Sequence, residues 1–351
     1  MRNGKKILAL LFGGRGKEHE VSLCGAEFVL DCIDRSRYVP LPIYISKCGD
    51  WLISQNEKLK IKDFEKASDS LLHVSPMSVN GVGRLLTERA EIIDVYCALP
   101  LLHGDFGEDG TVQGALECAR IPYIGCDTGA SSVAIDKVYT KIIAQNAKIP
   151  TARWICARRG EMERARALSN DTMGMPIFIK PARLGSSIGA CAVRSHDEFD
   201  SAFDAAASLD QKILIEEFVE IEAELECAYF ATKSKELFTN IGEIRYNSDF
   251  YDYDTKYKNT SDVTLSVHSD YQALFGEKII EYSRRLVSLI GIRDIARIDF
   301  FVSRGGELLF NEINTMPGFT CGSLYPSLLE ASAISVTEAI SELAENAAFR
   351  E

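Results

Sequence analysis

The feature that most restricts the fold of this chain is a repeated order of short apolar strand, glycine loop and helix in its first third. Residues 5–14 have the sequence KKILALLFGG, an apolar strand that runs into two glycines, and a helix is expected near Ser22–Ile33. The segments VPLPIYIS and DVYCALPLLHG predict two further strands, the second again followed by a loop. Short apolar strands in this order are typical of a parallel sheet. The first third therefore predicts an N-terminal parallel-sheet domain of the α/β class.

The rest of the chain has a different pattern. LECAYFAT and LFTNIGEIRY predict antiparallel strands, and ARIDFFV and ELLFNEIN predict a hairpin around Arg304-Gly305-Gly306. Helices are expected over Ser132–Ala147, over Phe275–Ile290 and from Val336 onward, whereas the short strand expected at IPYIGC belongs to the N-terminal region. This mixture of helices and antiparallel strands is an α+β pattern. With 351 residues, the chain is long enough for two or three domains.

Composition excludes several classes of protein. The hydrophobic content of 46% is too high for a disordered chain, and no apolar run approaches the ~20 residues of a membrane-spanning helix. The net charge of −12 argues against general nucleic-acid binding, although local lysines and arginines can still bind anionic ligands. The ten cysteines lack the CxxC spacing of a zinc or redox site. Reduced thiols in a cytoplasmic protein are therefore expected.

The predicted hairpin of residues 296–314 carries a candidate metal site. Side chains alternate along a strand, so a register that pairs Asp299 with Glu312 would bring two carboxylates together. The amide of Asn314 would join them, with Arg297 one step away. A small set of oxygen ligands suits Mg²⁺, which also binds substrate phosphates. The alternative is a solvated acidic strand face, but this does not explain the apolar residues around the acids in IDFF and FNEIN.

A second candidate site is the glycine-serine loop in FIKPARLGSSIGA. Consecutive backbone N–H groups in such a loop can bind phosphate oxygens, and Lys180 before it can supply a positive charge. The loop lacks the Gly-Lys-Ser/Thr ending of a Walker loop. An ordinary hairpin loop is the alternative, so this segment predicts phosphate binding only in combination with other sites.

Four further segments are compatible with ligand binding, each with a structural alternative. The acids that end ILIEEFVE, together with Glu224, could accept hydrogen bonds from adenine and ribose, or could be a charged strand end. Ser22 in GGRGKEHEVSL could be an N-cap of a helix. His103 follows a strand end, where open α/β sheets bind ligands, but a structural histidine is the simpler alternative. The polar, aromatic segment FYDYDTKYKN predicts a lid over the site.

Taken together, these segments resemble the D-alanine–D-alanine ligases of the ATP-grasp superfamily. The resemblance runs from Phe12 to Pro326, and the matching strings are EHEVSL, LHGDFGEDGTVQG, DKVYTK, KPARLGSSIG, FYDYDTKY, RIDFF and NEINTMPGFT. The resemblance implies a pre-ATP-grasp domain followed by a two-part ATP-grasp fold, with domains at 1–130, 131–215 and 216–351. It implies ATP between the second and third domains, a homodimer, and synthesis of D-alanyl-D-alanine for peptidoglycan through an acylphosphate.

The same resemblance assigns catalytic roles by motif. Glu20 would hold the ammonium of the first D-alanine and would form a hydrogen-bonded bridge with Ser186 and Tyr257 that locks the lid. Arg297 and the backbone N–H of Gly318 would stabilise the tetrahedral oxyanion.

The resemblance also implies three groups of binding residues. The second D-alanine would contact His103, Lys256, Ser323 and Leu324. ATP would contact Lys137, Lys180, Ser187, Glu216, Glu217, Phe218, Val219, Glu224 and Phe301, with Lys256 also reaching a phosphate. Two Mg²⁺ ions, which Mn²⁺ can replace, would be bound by Asp299, Glu312 and Asn314.

The sequence departs from the family pattern in two places that bear on function. The spacing from Phe218 to Glu224 is one residue longer, and Cys321-Gly322 replaces the commoner Ser-His before the substrate serine. A variant ligase that makes D-Ala-D-Ser or D-Ala-D-lactate is therefore an alternative, although Leu324 and the lid Lys-Tyr pair favour D-alanine. EHEVSL and FYDYDTKY argue against another ATP-grasp carboxylate–amine ligase. The presence of Arg297 and all metal ligands argues against a non-catalytic ATP-binding regulator.

Overall fold

The computed structural model describes residues 4–246 and 263–350, and its strands form three sheets. The first sheet has the order β6-β5-β4-β3-β2-β1-β7. Its strands are β1 (Lys6–Gly13), β2 (Tyr38–Ile45), β3 (Trp51–Ile53), β4 (Leu72–Val79), β5 (Val82–Thr87), β6 (Ile92–Asp94) and β7 (Cys97–Pro100). Helices α1 (His19–Cys32) and α2 (Thr111–Cys118) pack on it.

The α/β class predicted for this region is confirmed, but the sheet is parallel only in part. Strand β1 pairs in parallel with β2 and β7, whereas β3 to β6 are antiparallel. The physical reason is visible between β4 and β5, where Val79 pairs with Val82 across a two-residue turn. Asn80 and Gly81 in that turn both have positive φ, as a type I′ hairpin requires. The three strands predicted from the sequence, β1, β2 and β7, pair in parallel as expected, whereas the antiparallel strands β3–β6 were not predicted.

Strand β1 is apolar throughout because both of its faces are buried. Leu8, Leu10 and Phe12 point into one hydrophobic cluster, while Ala9 and Leu11 point into another that contains residues of α2. The first cluster also contains residues of helix α9 (Val336–Ala348), which lies near the end of the chain. The N-terminal sheet is thus covered in part by the end of the chain.

The second sheet has the order β10-β9-β11-β8 and lies next in the chain. Its elements are β8 (Trp154–Arg158), α5 (Met162–Thr172), β9 (Ile177–Pro181), β10 (Cys191–Val193), α6 (Phe199–Leu209) and β11 (Lys212–Glu217). Helices α5 and α6 share a hydrophobic cluster with the strands. The predicted domain boundary at residue 215 falls inside β11, and the domain limits themselves stay a prediction.

The third sheet has the order β15-β14-β12-β16-β17, with β13 paired to β12. Its strands are β12 (Ile221–Thr232), β13 (Lys235–Phe238), β14 (Gly242–Tyr246), β15 (Val263–Ser266), β16 (Ile295–Ser303) and β17 (Leu308–Asn314). The remaining helices are α3 (Thr128–Ala134), α4 (Lys137–Asn146), α7 (Gln272–Ile290) and α8 (Leu324–Ala331). The predicted antiparallel strands, the hairpin and helix α7 are confirmed.

Two local predictions were wrong. The single helix expected over Ser132–Ala147 is in fact two helices, α3 and α4. The reason is that Asp136 is the N-cap of α4, since its carboxylate accepts the N–H groups of Val138 and Tyr139. The strand expected at IPYIGC is reduced to one bridge between Ala98 and Tyr123. None of the helices in the described part of the chain has the length and apolarity that crossing a membrane requires.

Candidate active site

A cleft opens between the second and third sheets, with about 1060 Å³ of empty space that includes the open solvent at its mouth. All nine residues predicted to contact ATP line the cleft: Lys137, Lys180, Ser187, Glu216, Glu217, Phe218, Val219, Glu224 and Phe301. Arg297, Asp299 and Glu312 line it as well. Segments far apart in the sequence therefore converge on one site.

Glu216 is a buried acid of the cleft that forms ion pairs with two lysines. It is only 5% exposed, and its two oxygens lie 2.5 Å from the ammonium groups of Lys141 and Lys180. Burial alone would raise the pKa of Glu216, but the two lysines lower it to about 2. The carboxylate therefore stays ionised and fixes Lys180 at the cleft wall.

Lys141 was missed by the sequence analysis. It is fully buried in α4, one turn beyond Lys137, so both lysines project from the same side of the helix. The spacing of the two lysines in DKVYTK was the available signal. A lysine within an apolar pattern is normally placed on a solvated face, and only the pairing with Glu216 explains its burial.

The glycine-serine loop has an unusual backbone. Ser186 and Ser187 both have left-handed φ angles, of 51° and 56°. Such conformations are costly for residues with a side chain and persist only where surrounding contacts hold them. One such contact is the hydrogen bond from Lys137 Nζ to the carbonyl of Leu184, at 2.8 Å. The loop is thus fixed in a shape that an extended hairpin loop would not adopt.

The predicted contact between Glu20 and Ser186 was wrong, and Glu18 takes the place of Glu20. The Ser186 hydroxyl donates a hydrogen bond to the Glu18 carboxylate, and Glu18 is 8% exposed. The Glu20 side chain is 64% exposed and pairs with Lys47 at 3.1 Å. Residues two apart near the start of a helix point about 200° away from each other, so only one of the two glutamates can face the cleft.

The start of α1 also corrects the interpretation of Ser22. The helix begins at His19, so Ser22 lies within it rather than at its N-cap. The Ser22 hydroxyl accepts the N–H of Gly13 at 2.9 Å and donates to the carbonyl of Leu101 at 2.5 Å. The hydroxyl therefore links the last residue of β1 to the residue that follows β7, which is a structural role.

The register of the β16–β17 hairpin is the one expected from the sequence. Asp299 pairs with Glu312, and Arg297 pairs with Asn314. The Asn314 amide donates to Asp299 at 3.0 Å, which brings the predicted oxygen ligands together. The sheet has a bulge directly after Asp299 that breaks the pairing before Phe300.

Each of the two carboxylates in this group contacts a cationic side chain. Arg297 contacts Asp299 at 2.7 Å, and Lys137 contacts Glu312 at 3.0 Å. The acids are therefore stabilised by positive charge at the place where a divalent ion would supply it. Two carboxylates and an amide oxygen are also the hard ligands that Mg²⁺ prefers, so the residues present fit a magnesium site.

His103, which is buried, and Glu108, which is half-buried, lie in the loop after β7, beside this group. His103 Nδ1 lies 3.1 Å from the carbonyl of Met316, and burial lowers the pKa of the imidazole. The Glu108 carboxylate accepts the N–H groups of Gly104 and Met316, each at 3.0 Å. Burial raises the pKa of Glu108 to about 7. Glu108 was missed by the sequence analysis, although it lies in the matching string HGDFGEDG.

Comparison with known proteins decides the family. The family described as D-ala D-ala ligase N-terminus matches residues 7–126, and D-ala D-ala ligase C-terminus matches residues 143–345. The D-alanine–D-alanine ligase of Deinococcus radiodurans is 37% identical over 350 residues, covering 97% of this chain and 98% of that protein. This chain belongs to the D-alanine–D-alanine ligase family. The resemblance inferred from the sequence is confirmed.

Solved structures of this ligase family have the same fold. The VanG D-Ala:D-Ser ligase of Enterococcus faecalis superimposes with a TM-score of 0.87 at 32% identity, covering 97% of this chain and 99% of that one. The D-alanine–D-alanine ligase of Coxiella burnetii gives 0.84 at 26% identity, covering 99% and 94%. The multidomain ATP-grasp fold expected from the sequence is confirmed by these similarities.

The longer spacing before Glu224 is absorbed locally. Ile221 pairs with Ser303 and Ala223 with Val302, so Glu222 is the extra residue of a β-bulge. Glu222 is exposed, while Glu224 returns to register opposite Phe301 and lines the cleft. The departure from the ligase pattern therefore does not remove Glu224 from the site.

The loop before α8 places Gly318 beside Ser323. A Cβ atom added to Gly318 would lie 3.1 Å from the Ser323 hydroxyl, which also accepts the N–H of Thr320 at 3.2 Å. Leu324, which the ligase resemblance places against the second D-alanine, is 5% exposed and packs in the hydrophobic core near Gly242. The predicted lid residues Lys256 and Tyr257 lie outside the described residues.

Proposed function

We propose that this chain joins two D-alanines to D-alanyl-D-alanine at the expense of ATP, as a step in the supply of peptidoglycan precursors. The observation that carries the proposal is the convergence of phosphate-binding groups and paired carboxylates in one cleft. Lys137 and Lys180 lie at its wall, and Asp299 and Glu312 face each other across the hairpin. Phosphoryl transfer between two anions requires this combination of cations and metal ligands.

The nucleotide would lie between the second and third sheets. Phe218 and Phe301 supply apolar surface for the adenine, and Glu216, Glu217 and Glu224 supply acceptors for its amino group and for the ribose. The left-handed backbone at Ser186 and Ser187 would present N–H groups to phosphate oxygens. Magnesium ions bound by Asp299, Glu312 and Asn314 would neutralise phosphate charge.

Glu18, rather than Glu20, would bind the ammonium of the first D-alanine. Its carboxylate is buried, faces the cleft loop and is oriented by the Ser186 hydroxyl. This position leaves the carboxylate of the amino acid directed at the nucleotide. A carboxylate oxygen then attacks the γ-phosphorus, ADP leaves, and an acylphosphate forms.

The second D-alanine would lie near Gly318, Ser323 and His103. Its amine attacks the acylphosphate carbonyl, the intermediate oxygen becomes negative, and phosphate leaves with the bonding electron pair as the carbonyl re-forms. Arg297 and the Gly318 N–H would stabilise that oxygen. His103 Nε2 makes no hydrogen bond within the described residues, and burial lowers the pKa of the imidazole, so this nitrogen could accept the proton that the amine loses.

A D-Ala-D-Ser ligase is the second candidate. The similarity to the Enterococcus faecalis D-Ala:D-Ser ligase, together with Gly322 in place of a larger residue near the second site, supports weighing it. Leu324, which the family resemblance places beside the second amino acid, is apolar and would supply no hydrogen-bond partner for a serine hydroxyl. An unpaired buried hydroxyl costs about 1–3 kcal/mol, which favours D-alanine.

The test is phosphate release with D-alanine alone, followed by competition with equimolar D-serine or D-lactate and mass analysis of the products. D-Ala-D-Ala as the major product in each case supports the proposal. D-Ala-D-Ser as the major product in the D-serine competition would replace it with the second candidate. The Glu312→Gln variant is the control for phosphate released by a contaminating ATPase.

The family resemblance further implies a homodimer that acts in the cytoplasm, and we include both in the proposal. Sedimentation velocity of the purified chain tests the first, and fractionation of cells that express it tests the second. A monomer at micromolar concentration would contradict the dimer without affecting the proposed reaction.

A further inference from the structure

Three neighbouring strands place one carboxylate each in a single row across the third sheet. Glu226 on β12 pairs with Asp299 on β16, and Asp299 pairs with Glu312 on β17. Side chains of directly opposed residues in antiparallel strands lie on the same face of a sheet. All three acids accordingly line the cleft. Asp299 and Glu312 have a role in the proposed reaction, but Glu226 has none.

Glu226 is tied to the arginine of the site. It is 4% exposed, and its Oε1 lies 3.1 Å from Nε of Arg297. The same guanidinium donates to Asp299 from Nε at 2.8 Å and from Nη2 at 2.7 Å. Arg297 is therefore shared between two carboxylates, one on the neighbouring strand β12 and one two residues along its own strand β16.

These two partners of Arg297 are not equivalent. Asp299 belongs to the oxygen cluster of β16 and β17, with the Asn314 amide at 3.0 Å and Glu312 opposite. Glu226 lies on β12, which pairs with β16 along the edge opposite β17. A divalent ion bound to the oxygens of Asp299 would weaken the two hydrogen bonds that the guanidinium makes to them. Glu226 is then the carboxylate that remains to hold Arg297.

We propose that Glu226 is a positioning residue, which holds the Nε edge of Arg297 so that the Nη groups stay directed into the cleft when Asp299 binds metal. The inference rests on the proposed function, in which Arg297 stabilises the negative oxygen of the tetrahedral intermediate. Without Glu226, the arginine would be oriented by Asp299 alone, and metal binding at Asp299 would leave its guanidinium without a fixed direction.

The test uses Glu226→Gln, which keeps the side-chain shape and removes the charge, in the full chain. We expect kcat for dipeptide formation to fall roughly 10- to 100-fold, the effect of weakening a buried charged hydrogen bond. The KM for ATP and the calorimetric affinity for Mn²⁺·ADP should stay within about twofold of wild type. Glu222→Gln, on the exposed bulge of the same strand, is the matched control and should behave as wild type.

A double-mutant cycle tests whether Glu226 acts through the arginine. In an Arg297→Lys background, Glu226→Gln should have little further effect on kcat, because the group that it positions is already gone. Full additivity of the two losses would overturn the proposal. Glu226→Asp keeps the charge and serves as the second variant if Glu226→Gln does not fold, and it should retain several-fold more activity than Glu226→Ala.

Two other outcomes would also overturn the proposal. One is a wild-type kcat for Glu226→Gln. The other is a tenfold or greater loss of Mn²⁺·ADP affinity, which would make Glu226 a metal ligand instead. A wild-type chain that forms no dipeptide from any D-amino acid would refute the proposed function, so the two failures are distinguishable.

Discussion

Replacing Glu18 by Gln should damage use of the first D-alanine while leaving nucleotide binding intact. The change keeps the shape of a side chain that is 8% exposed and hydrogen-bonded to Ser186, but removes its charge. A buried hydrogen bond between a carboxylate and an ammonium contributes about 1.5–3 kcal/mol, which corresponds to roughly 10- to 150-fold in kcat/KM for D-alanine. The assay is phosphate release at limiting D-alanine, with the KM for ATP measured in parallel and expected to be unchanged.

Glu20→Gln is the matched control, since it makes the same chemical change two residues away. Its side chain faces solvent and pairs with Lys47, a surface contact that contributes at most about 1 kcal/mol to stability. Activity should stay within about twofold of wild type. The reasoning is refuted if Glu20→Gln is the more damaged variant, or if Glu18→Gln keeps wild-type kcat/KM for D-alanine.

Three further changes test other parts of the site and fold. Glu312→Gln should lower turnover roughly a thousandfold, since a charged metal ligand is lost, and a variant that keeps more than about a tenth of wild-type phosphate release at saturating Mg²⁺ would contradict the metal assignment. Lys141→Met should reduce the free energy of unfolding by about 3 kcal/mol in urea titrations, because the buried Glu216 keeps only Lys180 as a cation; an unchanged midpoint would contradict this. Burial would raise the pKa of Glu345, but Lys6 and two tyrosines lower it to about 2, so its ionised form stabilises the fold above its ordinary pKa and this contribution is lost as the pH falls toward 2. Glu345→Gln should therefore cost about 1–2 kcal/mol at pH 7 and less at pH 3, and an equal cost at both pH values would argue against the ion pair.

The hairpin of the third sheet was predictable because its geometry follows from alternation alone. Once Asp299 is paired with Glu312 on the facing strand, the side-chain period of two places Arg297 and Asn314 on the same face of the hairpin. The nucleotide-cleft residues were predictable for a related reason, since each follows a strand or loop that the sequence marks clearly. In both cases local pattern and final position agree.

The remaining site residues depend on information that no local pattern contains. Glu18 and Glu20 flank His19 in the same motif, and only the position at which α1 begins decides which one faces the cleft. Lys141 and Glu108 are charged residues whose burial is explained by partners far away in the sequence. The break between α3 and α4 likewise depends on whether Asp136 caps a new helix or continues the old one.

The most direct test of the proposed reaction follows the carboxylate oxygen of the first D-alanine. The enzyme is given ATP and D-alanine labelled with ¹⁸O in the carboxylate, and the released phosphate is analysed by mass spectrometry. Attack of the carboxylate on the γ-phosphorus, followed by loss of phosphate from the acylphosphate, predicts one ¹⁸O atom in each phosphate and one dipeptide for each ATP consumed. Phosphate without the label, or ATP consumption without dipeptide, would contradict the account.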